Sequence, residues 1–266
     1  MAPVLEVRDD GRLRVLRFNR PERKNALNGQ LLRALYAALR AAATDDDVWA
    51  LAITGNGDGF CSGLDLDQSN DGGSDEPPRD EQPEHSDGVN TLPILMRVEC
   101  EKPILAGVNG VAVGLGLSIA MNADIRIAAP SARFHPGYAR VATSPDGGLT
   151  WTLTRAVGYE RALRFLLEQR MVPAAEALAI GLVSEVVERD EQFEARFLEY
   201  GQMLASVAPI AARQTKRMLV KADAPVDLEA HVDEEIALAL HGLDSRDSAE
   251  AVRAMMAKEK PVFTGE

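Results

Sequence analysis

Two glycine-rich stretches of this 266-residue chain hold the residue types that could do chemistry with backbone groups alone. Residues 55–63 follow one apolar run, and Gly107, Gly110, Gly114 and Gly116 follow another. A dinucleotide fingerprint, G-x-G-x-x-G, would set a helix N-terminus against a pyrophosphate. Here Phe60 stands in the third glycine's place after Gly55 and Gly57, and Ile119 after Gly114 and Gly116, so neither stretch fits. No G-x-x-x-x-G-K-S/T occurs, and neither Ser62 nor Ser118 has the G-x-S-x-G flanks of a nucleophile elbow. His85, His135, His231 and His241 show no metal-ligand spacing, so no metal is expected. What two strand-to-glycine-loop junctions can build is an oxyanion site. Small residues let a carbonyl oxygen reach bare N–H groups, and a helix starting there adds its positive end. Tight turns in a compact fold would use the same glycines.

The elements that must position these loops follow from apolar periodicity. Residues 4–7 and 13–18 read as a hairpin about Asp9-Asp10-Gly11. Leu31, Leu32, Leu35, Leu39 and Ala42 recur at helical spacing, which predicts a helix over 29–43. Compact apolar runs at 48–54, 103–108 and 124–128 read as strands, with a helix over 115–122 between the last two. Strand, glycine loop and helix thus occur twice, suggesting stacked ββα-like units in an α/β fold. Beyond Pro173 the spacing predicts helices over 174–180, 193–205, 210–221, 228–240 and 245–258. The chain divides on this reading into a core over 1–200 and a helical region over 201–266 suited to subunit contacts. Residues 67–90 hold Asp, Glu, Gly, Pro, Ser and Asn with few large apolar side chains, so a mobile surface excursion is expected, or a lid.

Composition narrows the partners. With 46% hydrophobic residues the chain can bury a sizeable core. Its 29 basic and 41 acidic side chains give a formal charge of −12, which opposes nucleic-acid binding and leaves any phosphate to a local basic patch. Cys61 and Cys100 form no CxxC pair, consistent with a reducing cytosol, and Cys61 reads as loop packing. No stretch reaches the ~20 apolar residues of a membrane span. The N-terminus has neither a signal core nor transit character, and a cytoplasmic location is expected.

Several motifs in order resemble the crotonase (enoyl-CoA hydratase/isomerase) superfamily. They are Asn19-Arg20-Pro21, Asn25-Ala26-Leu27, Ile53-Thr54-Gly55 and Phe60-Cys61-Ser62-Gly63-Leu64-Asp65-Leu66. Pro103-Ile104-Leu105-Ala106, Asn109-Gly110-Val111-Ala112, Gly114-Leu115-Gly116, Ala123-Asp124-Ile125 and a final Lys260-Pro261-Val262-Phe263 follow. The resemblance implies a crotonase-like spiral of ββα turns, a helical C-terminal part, and a homotrimer or homohexamer. It implies an acyl-CoA thioester as substrate, with coenzyme A entering as part of that substrate and no separate cofactor. The oxyanion amides would be those of Leu64 and Leu115. Coenzyme A would lie along Arg23, Lys24, Ala26 and Leu27 and along Ser62, Gly63, Asp65 and Leu66, close to Gly114 and Tyr138. Arg23 or Lys24 would meet its phosphates.

Hydratases of this family activate water between two glutamates. The first of those positions is Ser118 here and the second is Tyr138, so both carboxylates are replaced. Asp146, in Ser144-Pro145-Asp146-Gly147-Gly148, looks like the acid position of double-bond isomerases, including dienoyl-CoA and epoxyphenylacetyl-CoA isomerase relatives. Aromatic-ring dehalogenases of the family carry a nucleophilic aspartate there. One carboxylate suits isomerisation, removing a proton near the thioester and returning it to another carbon. Burial near Trp151 and Phe134 would make it a stronger base. Read without the family, Asp146 before Gly-Gly-Leu-Thr-Trp is a helix N-cap pattern. Tyr138 reads as a hydrogen-bond donor or as pocket lining. The expectation is an acyl-CoA isomerase, with an enoyl-CoA hydratase or a non-catalytic acyl-CoA-binding subunit as alternatives.

Overall fold

The computed structural model describes residues 2–66, 89–222, 228–259 and 261. The expected excursion falls, from 67 to 88, outside the described residues, as do three residues of the C-terminal motif, 260, 262 and 263. Strands β1 (Leu5–Asp10) and β2 (Leu13–Phe18) form the expected antiparallel hairpin, turning at Gly11 with φ +60°. Helix α1 (Gly29–Thr44) buries Leu31, Leu35, Tyr36, Leu39 and Ala42 along one side. Its N-cap is Asn28, whose Oδ1 accepts from the Leu31 N–H at 2.9 Å, a cap worth about 1 kcal/mol.

Three ββ pairs follow, each joining a longer strand to a three-residue one. Strand β3 (Ala50–Gly55) leads to β4 (Gly59–Cys61). A short helical segment α2 (Thr91–Pro93) runs into a π-helical turn (Ile94–Glu99) and on to β5 (Ile104–Val108) and β6 (Val111–Val113). Helix α3 (Leu115–Asn122) comes next, then β7 (Ile125–Ala128) and β8 (Arg133–His135). A 3₁₀ turn (Tyr138–Val141) and a glycine loop precede helices α4 (Leu149–Val157) and α5 (Tyr159–Glu168). The remainder is β9 (Val172–Pro173), α6 (Ala174–Ile180), β10 (Glu185–Val186), α7 (Phe193–Ala205), α8 (Pro209–Ala222), α9 (Leu228–Leu243) and α10 (Arg246–Ala257).

The strands sort into two sheets. The larger runs β1-β2-β3-β5-β7-β10 and is parallel from β2 onward. The smaller runs β4-β6-β8-β9, with only β9 antiparallel. Each circuit places one strand in each sheet, and β5-β6-α3 and β7-β8-α4 are the ββα units of a spiral. The second sheet was not expected: β4 and β6 lie in stretches read as glycine loops. Three residues are too few to display a period of two. Helices α4 and α5 also lay outside the expected elements, save for the pattern at Asp146.

The larger sheet is covered on both faces, which is why β3 is buried at all six positions. One face packs Leu13, Val15, Ala50, Ala52, Leu105 and Ile127 against Phe193, Phe197 and Leu204 of α7. Gly107 makes this approach possible, because a Cβ there would sit 2.3 Å from Cδ2 of Phe197. Helix α3 is buried at all eight residues, the polar Ser118 and Asn122 included. Helix α8 is pinned by Lys216, whose Nζ lies 2.6 Å from Met96 O, 3.0 Å from Lys102 O and 2.8 Å from Asp124 Oδ2. No helix of the described residues is long and apolar enough to cross a membrane.

Candidate active site

The segments expected to hold coenzyme A are stitched side by side. Leu27 N–H donates to Gly63 O at 2.8 Å and Asp65 N–H donates to Leu27 O at 2.9 Å. Ser62 N–H donates to Lys24 O at 3.0 Å, and its hydroxyl donates to Arg23 O at 3.2 Å. Two residues that sequence reasoning quoted without giving them work hold this seam. Asn25, at φ +56°, accepts from Arg20 N–H at 2.9 Å and donates to Asn56 O at 2.9 Å and Gly59 O at 2.7 Å. The Arg20 guanidinium donates to Ala26 O and, at 2.8 Å, to Asp65 Oδ2, with both side chains about nine-tenths buried. Asp65 is thereby occupied inside the fold. The signal was present in Asn19-Arg20-Pro21, but nothing local linked Arg20 to a partner 45 positions away.

Lys24 is ion-paired with Asp58, and that hydrogen bond holds the Asp58 carboxyl below its usual range. The Lys24 cation therefore meets an anion of its own chain first. Ala26 is buried, while Leu64 and Leu66 expose their side chains at the rim. Cys61 is buried, and burial pushes its thiol up to about 12, so it is no nucleophile at neutral pH.

Glycines bring the two junctions together. Gly63, at φ +93°, would place a Cβ 2.9 Å from Val113 O, and Gly116 would place one 2.3 Å from Cys61 O. Only hydrogen fits at both. Leu27 and Leu64 form a parallel bridge in which the residues flanking Leu64 make the bonds, so the Leu64 amide points away from Leu27. Leu115 is the first residue of α3 and follows Gly114 at φ +53° and ψ −125°. Its N–H is one of those a helix start leaves without an intrahelical acceptor.

Asp146 enters from a third crossing of the chain. A Cβ on Gly147, at φ +59°, would meet Leu115 Cδ1 at 2.8 Å and Ser118 Cβ at 3.2 Å, so this loop rides on the first turn of α3. The N-cap reading of Asp146 fails. Gly148 occupies the N-cap of α4 with no side-chain cap bond, and Asp146 offers its backbone carbonyl instead, accepting from Leu149 N–H at 3.2 Å. The carboxylate is turned elsewhere: Oδ1 accepts from the Tyr138 hydroxyl at 2.6 Å. The Tyr138 oxygen lies 2.8 Å from Ser118 Oγ, whose one proton has Asp146 O, at 3.1 Å, as a second acceptor within reach. Asn122, one turn on, donates to Ser118 O at 2.8 Å and Gly147 O at 2.7 Å, fastening the same loop. Ser118, Tyr138 and Asp146 are all buried. The three positions singled out separately in the sequence thus form one hydrogen-bonded chain.

The C-terminal helices wall this region. Trp151 packs with Ile94, Leu228 and Val232, under the Arg155 guanidinium at 3.4 Å from its ring centroid, and α10 lies against the 3₁₀ turn that bears Tyr138. Among the described residues no three His, Cys, Asp or Glu side chains group to hold a metal ion.

A two-sheet ββα spiral with facing glycine junctions is the frame of the crotonase fold, and the comparisons agree. The family model for enoyl-CoA hydratase/isomerase matches residues 9–266, and the chain belongs to that family. It is 36% identical over 255 residues, 95% of each chain, to a probable enoyl-CoA hydratase of Rhodobacter capsulatus. It is 33% identical over 253 residues, 94% of each, to the 1,2-epoxyphenylacetyl-CoA isomerase of Escherichia coli. An enoyl-CoA hydratase/isomerase structure from Pseudoalteromonas atlantica superposes with TM-score 0.87 at 32% identity, covering 98% of this chain and 100% of that one. The chain is an enzyme of a family acting on acyl-CoA thioesters.

Proposed function

We propose that the enzyme shifts a carbon–carbon double bond of an enoyl-CoA, with Asp146 as the base that removes and returns the proton. The observation that carries this reading is the Ser118–Tyr138–Asp146 chain. Hydroxyls fill both hydratase-glutamate positions, and the one carboxylate of the chain sits on the first turn of α3 beside the oxyanion junction. In the forward reaction the Asp146 carboxylate takes a proton from C2 of a 3-enoyl thioester. The C–H electron pair moves into a dienolate whose oxygen accepts from the amides of Leu64 and Leu115. The proton then passes from the Asp146 carboxyl to C4, the double bond settles between C2 and C3, and the carboxylate is restored. Coenzyme A lies along the seam of Arg23 to Leu27 with Ser62 to Leu66.

The test incubates the protein with trans-3-enoyl-CoA and with trans-2-enoyl-CoA in ordinary and heavy water, read by absorbance and mass. The expected result is interconversion without gain of water, with Asp146→Asn slower by roughly 10²–10⁴-fold, the usual contribution of a positioned acid–base group. Hydration is the alternative, supported by the name of the Rhodobacter relative. Addition of water to the 2-enoyl substrate, undiminished in Asp146→Asn, would establish it and overturn the isomerase.

A further inference from the structure

We propose that Tyr138 is a positioning residue for the Asp146 base, its hydroxyl, backed by Ser118, holding that carboxylate ionised and aimed at the oxyanion junction. The inference rests on the assignment of Asp146 as the base and adds a role for the two residues that stand where a hydratase has its acids. The 2.6 Å bond from the Tyr138 hydroxyl to Oδ1 is short, as charge-assisted O–H···O⁻ bonds are. A donor to the ionised form favours that form, whereas burial favours the neutral one. Asp146 and Tyr138 are 8% and 6% exposed, so their contact acts through little intervening solvent. With its proton directed to Asp146, the Tyr138 oxygen takes the one proton of Ser118 Oγ at 2.8 Å in place of Asp146 O at 3.1 Å, which strengthens it as a donor.

The frame is rigid at each member. Ser118 lies in the buried helix α3, and Tyr138 begins a 3₁₀ turn set by Gly137 at φ +82° and closed by Ala142 at φ +54°. Oδ1 is thereby fixed on the side of Tyr138. Tyr138 keeps its proton throughout the cycle and donates more strongly while Asp146 is an anion. Among the described residues, Glu229 and Asp233 of α9 are exposed, and most charged groups on the other packed elements pair elsewhere or are exposed. On α5, Arg164 pairs with Glu168 while Glu160 and Arg161 are exposed; on α10, Arg253 pairs with Glu250 and Glu259, and Asp247 is half-buried. Arg140 on the turn acts on His135 of β8, and Arg155 of α4 lies over Trp151.

The test titrates the Asp146 carboxyl by ¹³C NMR in protein labelled at aspartate carboxyl carbons, its resonance identified by loss in Asp146→Asn. Tyr138→Phe should raise the titration midpoint by about one pH unit, as expected when a donor to a buried carboxylate is removed. Ser118→Ala should move it the same way by less. The acidic limb of the pH profile for 3-enoyl-CoA turnover should shift equally, with kcat falling more than KM changes. An unmoved midpoint in a folded Tyr138→Phe protein overturns the inference, even where Asp146→Asn abolishes turnover. A shifted midpoint with Asp146→Asn fully active upholds the contact and defeats only the base assignment. Should Tyr138→Phe not fold, Ser118→Ala decides by the same midpoint.

Discussion

At the scale of single residues, three buried side chains far apart in sequence meet in one hydrogen-bonded chain. Gly148 is the N-cap residue of α4, and the Asp146 carboxylate accepts from the Tyr138 hydroxyl. A second buried side chain near this region carries a pH signature. His135, on β8, bonds Gln169 O through Nε2 at 2.9 Å while its Nδ1 finds no partner among the described residues. Burial, aided by the Arg140 cation, holds its imidazole below the ordinary value of 6.5. Above that value the ring is neutral folded and unfolded, and its contribution to stability is complete. Below it the unfolded chain takes up a proton that the folded one resists, so stability falls. The urea midpoint should drop between pH 7.5 and pH 5.5, and His135→Gln should lessen the drop; an identical drop in both proteins refutes the assignment. Residue types and spacing were enough to single out Ser118, Tyr138 and Asp146 through the family resemblance. Their contact was hidden, because it depends on a glycine loop folding back across α3, and the N-cap pattern offered a plausible local use for the acid.

At the scale of elements, long segments could be read and short ones could not. Helices α3, α6 and α7 fall on the expected residues because each carries a run of apolar side chains at regular spacing. The strands of the second sheet span two or three residues, so they carry no pattern. They exist because the chain crosses there twice, and glycine is what lets it. Gly116 gives a test in which two effects oppose each other. Its backbone is ordinary helix, where alanine is favoured over glycine by about 1 kcal/mol. A methyl group would lie 2.3 Å from Cys61 O, a backbone atom with little freedom to move, and overpacking of this kind costs about 1–3 kcal/mol. Gly116→Ala should therefore lower the melting temperature and disturb the oxyanion junction, seen as a larger loss in kcat than in substrate affinity. A more stable, fully active variant would show that the two loops are not in contact.

At the scale of the whole molecule, the C-terminal helices are joined to the spiral by polar as well as apolar contacts. Lys216 is 6% exposed and answers two carbonyls and the Asp124 carboxylate. Asp124 also accepts from Ile104 N–H at 2.8 Å, at the start of β5. Lys216→Met keeps the length of the side chain but strands these acceptors, at a cost of about 1–3 kcal/mol for the unsatisfied groups. The expected outcome is release of α8 before the spiral unfolds, detected as faster proteolysis within the last third of the chain at unchanged cleavage elsewhere. Uniform protection in the variant would assign the docking to apolar contacts alone. The three glycine approaches at Gly63, Gly116 and Gly147 have a broader consequence. Those at Gly63 and Gly116 set backbone against backbone, with the carbonyl oxygens of Val113 and Cys61 in the closest position, so this part of the scaffold does not depend on which groups are mounted upon it. Ser118, Tyr138 and Asp146 are tooling mounted on that jig. A lineage can then exchange one chemistry for another by altering a few mounted parts while the grip on the thioester is inherited unchanged.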